Sequence, residues 1–188
     1  MEKKHIITIA GKPGSGKSTT SKALAQTLEL KHFSSGDFFR AIGKERGIDV
    51  FQTNLVAESE KEIDELVDQK LRDLGADEDN MIIDSRMAWH WMPYSFRVYL
   101  DLDLEIAAKR IFHTLDAERL EAEHIPDTPD KYAEQLQQRL DSESKRYMNL
   151  YNANPYEPSN YDLVVDSANN NPLEVQEIIT EAYNNWVQ

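Results

Sequence analysis

The chain has 188 residues, 40% of them hydrophobic and 29% charged, with a formal net charge of −13. That length suits one domain with a sizeable core, and the negative charge disfavours long-range attraction to nucleic acid or an anionic membrane, both of which need a positive field. Cysteine is absent, which excludes disulfides, thiolate metal sites and cysteine nucleophiles. No apolar stretch approaches the roughly 20 residues that cross a bilayer.

The first β-rich run is HIITIA, residues 5–10. It is too short for the apolar core of a secretory signal, so a cytoplasmic protein is expected. Directly after it, Gly11-Lys12-Pro13-Gly14-Ser15-Gly16-Lys17-Ser18 satisfies G-x-x-x-x-G-K-[ST], between a strand and a helix as that motif requires. Gly11 to Thr19 is therefore the expected ATP-binding loop. Its glycines let backbone N–H groups converge on phosphate oxygens and the following helix N-terminus adds positive charge. Lys17 neutralises the β- and γ-phosphates, and Ser18 is placed to ligate Mg²⁺. Lys12 sits at a variable position, where a solvated lysine competes with a phosphate contact.

A second run, KHFSS (31–35), leads into FSSGDFFR, where Ser34-Ser35-Gly36 ends a strand and a helix begins near Asp37. Arg40, one turn into that helix, is placed to meet an anion beside the loop. Such residues are also ordinary helix starts, and the segment draws its value from lying one helix and one strand after the phosphate loop. Ile63, Leu66, Val67, Leu71 and Leu74 then recur at helical spacing, with Gly75 placed to end a helical insertion. Asp64 and Asp68 share a face of that helix, either solvated or turned to a ligand.

The third run, MIID (81–84), is apolar enough for a strand buried on both sides. Asp84 at its end is placed to hold Mg²⁺ through water, and Arg86 to bind an acceptor phosphate; the alternative is a strand-end cap with a surface partner. MAWHWMP (87–93) reads as packing rather than base stacking. After RVYLD (97–101), LEIAAKRIFHTLDAERL carries Arg110 and Arg119 on an amphipathic pattern. Thr128 and Pro129 open a helix running past Arg146 toward Tyr151. On it Arg139, Glu143 and Arg146 fall at i, i+4 and i+7, either a charge-stabilising face or a solvated one. NANPYEPSN (152–160) is a loop, YDLVVD (161–166) the fifth run, and Asn171, Pro172 and Glu174 cap a last helix ending near Trp186. The histidines have no metal-ligand spacing.

Strand-type runs alternating with helix-period segments predict an α/β fold: a three-layer sandwich on a parallel sheet. Together the motifs resemble the nucleoside monophosphate kinases of the phosphate-loop class, and within them the short archaeal-type cytidylate kinases. The resemblance rests on the loop, Ser35-Gly36-Asp37-Phe38-Phe39-Arg40, Asp84-Ser85-Arg86, the Arg139, Glu143, Arg146 spacing and Tyr161 to Val164. It implies a P-loop fold on a five-stranded parallel sheet, in a single domain with core segments at about 1–36, 76–115 and 155–188. A helical acceptor-binding insertion would span about 37–75 and a small lid about 110–150.

It further implies that Ser35 contacts the acceptor nucleotide, Arg40 and Arg86 its phosphate, Arg139 and Arg146 the transferring group, and Glu143 a ribose hydroxyl. Asp64 and Asp68 would read the base or hold the insertion closed, and Arg110 and Arg119 would serve the lid and ATP. The implied reaction passes the γ-phosphoryl group of ATP, with Mg²⁺, to CMP or dCMP. The enzyme would be a monomer acting on small nucleotides, with no nucleic-acid or membrane partner. Ser85 departs from the family's acid-Gly-Arg, and Ser35-Gly36-Asp37 also approaches the Thr-Gly-Asp of adenylate kinases. Two alternatives stay open: another small-molecule kinase, or an ATP-binding regulatory protein without transfer.

Overall fold

The computed structural model describes residues 4–48, 52–53, 56–57, 61–114 and 125–188; Arg119 lies outside them. Five strands, β1 (Ile6–Gly11), β2 (Lys31–Ser34), β3 (Met81–Asp84), β4 (Phe96–Asp101) and β5 (Leu163–Asp166), form one parallel sheet in the order β2-β3-β1-β4-β5. Parallel neighbours need long crossovers, and these supply helices to both faces. On β1, Ile7 and Ile9 face one side and pack with Leu24 and Ala25 of α1 (Lys17–Thr27) and with Val175, Ile179 and Tyr183 of α7 (Pro172–Val187). Ile6 faces the other side with Met81 and Ile83, against α2 (Ser35–Glu45), α3 (Glu62–Asp77) and the short α4 (Ala88–Trp91). The period-two alternation of the strand thus builds the three layers.

Two helix starts follow their sequence signals. Asn171 caps α7, accepting from the N–H groups of Leu173 and Glu174 while Glu174 accepts from the Asn171 N–H at 2.7 Å. Thr128 caps α6 (Pro129–Tyr151), with Pro129 in the first turn. That helix packs on α5 (Leu104–Thr114) through Ala107, Ala108, Tyr132 and Leu136.

Gly75 does not end α3, which runs on to Asp77. A Cβ at Gly75 would come within 2.7 Å of Met92 Cγ and 2.8 Å of Tyr94 Oη, so this glycine admits a neighbouring segment against the helix. Its carbonyl accepts from Tyr94 Oη and Lys4 Nζ, both at 2.8 Å. Leu66 also departs from expectation: it is exposed, while Ile63, Val67 and Leu71 carry the packing. The fifth strand starts at Leu163 rather than Tyr161, because Tyr161 is drawn into a cluster with Tyr99, Met87 and Trp89. In the 87–93 segment Trp89 and Met92 are buried as packing residues.

The strand register gathers the motif-bearing strand ends. Ile9 and Ser34 both align with Asp84, and Gly11 aligns with Leu100, so the ends of β1, β2 and β3 meet at one carboxyl edge. A Cβ on Gly11 would lie 2.3 Å from the Leu100 carbonyl, so only glycine lets the loop leave β1 so close to β4.

Candidate active site

At that edge the phosphate loop turns into α1. Lys17 Nζ donates to the carbonyls of Gly11 and Lys12, at 2.8 Å each, and so lies back across the loop. Burial lowers its pKa to about 8, aided by repulsion from Arg86, against the attraction of Asp84 and Glu143. Ser18 Oγ donates to Asp84 Oδ2 at 2.5 Å, joining the helix start to the end of β3. Ser15 is buried, and among the described residues its hydroxyl has no hydrogen-bond partner. Lys12 is engaged elsewhere, paired with Asp101 at 2.8 Å.

One cavity of about 260 Å³ opens beyond the loop. The strand side contributes Lys17, Ser18, Asp84 and Arg86, and α2 contributes Ser35 and Arg40. From α3 come Asp64 and Asp68, and from α6 Arg139, Glu143, Arg146 and Tyr147. Ser35 Oγ reaches the Asp84 carbonyl at 3.4 Å, and the exposed Arg40 pairs with Asp37 at 2.5 Å on the lip. A chain of net charge −13 therefore gathers five cations around one small space.

Glu143 organises that charge. Its two oxygens meet Arg86 Nε at 2.6 Å and Arg139 Nε at 2.9 Å, and Tyr156 Oη donates to it as well. Burial by itself would raise its pKa, yet the two guanidinium groups and the phenol hold it down at about 2. Arg146 Nε lies 2.7 Å from Asp64 Oδ2, a close charge contact without hydrogen-bond alignment. Here burial outweighs the guanidinium, and Asp64 is pushed up to about 6. Asp68, raised by burial, accepts from Trp91 Nε1 at 3.0 Å and Tyr151 Oη at 2.5 Å. Neither aspartate lies on a solvated face: both are buried, joining α3 to α6.

A second, more open cavity lies on the other side of the loop, lined by Gly14, Gly16, Thr19, Arg110 and Asn169 among others. Arg110 donates to the Ser167 carbonyl at 2.9 Å across this space. Pro13 and Lys12 are half-buried on the loop and line neither cavity.

Comparison with known proteins gives the chain its family. The AAA domain family matches residues 10–124. A cytidylate kinase of Haloquadratum walsbyi is 36% identical over 94% of this chain and 88% of its own length. Another, from Sulfurisphaera tokodaii, is 37% identical over 97% of this chain and 96% of its own. The chain belongs to the cytidylate kinase family. Its fold is also that of a shikimate kinase from Bacteroides thetaiotaomicron, at TM-score 0.65 and 14% identity, with 98% and 99% of the two chains covered.

As a cytidylate kinase-family member the chain is an ATP-dependent kinase. Its donor set fits a magnesium ion. The described residues hold no cluster of three or more His, Cys, Asp or Glu that would cage a metal. Ser18 and Asp84 instead offer two hard oxygens side by side, and Mg²⁺ characteristically takes one or two protein oxygens and completes its shell with phosphate and water.

Two residues at or beside this candidate site carry no sequence signal, and a third, Trp91, reads in the 87–93 segment as packing. Tyr147 lines the cavity next to Arg146, Tyr156 bridges Arg86 and Glu143, and Trp91 divides its ring between Asp68 and the Arg72 guanidinium 4.3 Å away. Tyrosines and tryptophans near a core read first as packing, and only the fold shows where their polar ends point.

Proposed function

We propose that this chain transfers the γ-phosphoryl group of MgATP to the α-phosphate of CMP or dCMP. The observation that carries the reading is the convergence of Lys17 with Arg86, Arg139 and Arg146 on one cavity, while the loop's other side opens on a separate one. Two cavities sharing one phosphate loop suit two nucleotides meeting at their phosphates. An acceptor-phosphate oxygen forms the new bond to the γ-phosphorus as the bond to the bridging oxygen of ADP breaks. The acceptor is already a nucleophile, so alignment and charge neutralisation supply the catalysis.

In this reading Gly11 to Thr19 and Arg110 hold ATP, and Arg40 and Arg86 grip the acceptor phosphate. Arg139, Arg146 and Lys17 neutralise charge on the transferring group. Ser35 contacts the acceptor, Glu143 a ribose hydroxyl, and the buried Asp64 and Asp68 the base side of the cavity. Ser18 and Asp84 would hold Mg²⁺, whose charge offsets that of the phosphates. The helices between 37 and 75 serve as the acceptor-binding insertion and about 110–150 as the lid. Their closure excludes water and suppresses ATP hydrolysis. The same reading makes the enzyme a cytoplasmic monomer working on small nucleotides, supported by a negative charge that repels polyanions.

The test measures ADP formation with CMP, dCMP, UMP, AMP and no acceptor. CMP or dCMP is expected to give the highest kcat/KM. Preference for AMP, or ATP binding without turnover on any monophosphate, overturns the proposal.

A further inference from the structure

The loop at 152–160 is more ordered than a connection needs to be. Tyr156 N donates to Asn154 Oδ1 at 3.0 Å, Asn160 Nδ2 to the Asn154 carbonyl at 2.9 Å, and Tyr161 Oη to the Pro155 carbonyl at 2.6 Å. Pro155 and Pro158 restrict the backbone on either side of Tyr156. The loop therefore presents one phenol in a fixed place. Its oxygen accepts from Arg86 Nε at 3.0 Å and donates to Glu143. Burial keeps the phenol protonated, so it carries no charge of its own.

Arg86, Arg139 and Arg146 are each met by a carboxylate at Nε. A guanidinium has five N–H donors in a rigid fork, so anchoring at Nε leaves the four terminal N–H groups to receive an anion. Arg86 has a neutral partner at Nε in addition to its acid. An arriving phosphate dianion repels the Glu143 carboxylate but not a phenol. As charge balance in the cavity changes, the phenol is the contact that keeps the plane of Arg86 in place.

We infer that Tyr156 is a positioning residue for acceptor-phosphate binding, acting through Arg86 and Glu143 from a loop pinned to hold it. This inference rests on the reading of Arg86 as an acceptor-phosphate group. It makes Tyr156 a determinant of acceptor affinity rather than of ATP affinity.

The experiment compares Tyr156→Phe with Tyr161→Phe, using whichever nucleoside monophosphate the wild-type protein turns over fastest. Both variants remove one buried hydroxyl that anchors the same loop, but only the first touches the arginines. Tyr156→Phe is expected to raise the acceptor KM about tenfold, the scale of one hydrogen bond to a charged group, with the ATP KM within about twofold of wild type. Tyr161→Phe is expected to lower the melting temperature with the acceptor KM unchanged. An unchanged acceptor KM in Tyr156→Phe overturns the inference, as does an equal change in both variants or an equal effect on ATP. Failure of Tyr156→Phe to fold while Tyr161→Phe folds also overturns it, by making the phenol a structural anchor. Failure of CMP as a substrate is a separate outcome, read from the wild-type protein alone.

Discussion

Replacing Glu143 by glutamine removes a charge while keeping its shape, and the structure sets the size of the effect. The carboxyl is buried between Arg86 and Arg139, which hold its pKa at about 2 against an ordinary 4.5. At about 1.4 kcal/mol per pH unit, the fold favours the ionised form over the neutral one by about 3 kcal/mol. Glutamine resembles the protonated acid, so Glu143→Gln should cost about that much at pH 7. A group with a depressed pKa contributes fully above its unfolded value, and the contribution is lost as pH falls through the folded one. The gap between the two proteins should therefore shrink to roughly 1 kcal/mol at pH 3 and vanish below about pH 2. Asp64, held up to about 6 by burial, gives the opposite slope; it is present in both proteins and drops out of the difference to first order. Urea unfolding at pH 7 should show a midpoint lower by about 1–3 M, given ordinary urea slopes. Equal midpoints at pH 7, or a gap that persists undiminished at pH 3, would refute the electrostatic account.

Lys17→Ala and Arg86→Ala should each lower kcat/KM by about two orders of magnitude or more in the ADP-formation assay, since each removes a charge aimed at the reacting phosphates; near-normal turnover in either counts against the site. Gly75→Ala should destabilise by about 1–3 kcal/mol because its Cβ meets Met92 and Tyr94. A helix interior normally gains about 1 kcal/mol from that change, so a raised melting temperature would show that the close approach is not tight. Asn171→Ala should cost about 1 kcal/mol by breaking the capping box of α7, measured by thermal unfolding; an unchanged melting temperature would show that the cap carries no stability.

What could be read along the chain was whatever depends on neighbours in sequence. The phosphate loop needs its glycines and lysine consecutive, helix starts at Thr128 and Asn171 need a cap within three residues, and buried parallel strands need short apolar runs. From their order alone, Asp84 and Ser34 could be expected at one sheet edge, where the register puts them. The same local logic misassigned Gly75, because a glycine that stops a helix and one that admits a neighbour look alike until Met92 and Tyr94 are in place. Spacing showed that Arg139, Glu143 and Arg146 share a face, but a solvated face would have the same spacing. Packing decided it, by burying Glu143 against Arg86 and setting Arg146 on Asp64. Tyr156 and Arg86 lie 70 positions apart and Tyr151 and Asp68 lie 83 apart. No periodicity spans such distances: burial between packed elements favours the pairing of polar groups, and which partner each finds is a property of the folded chain.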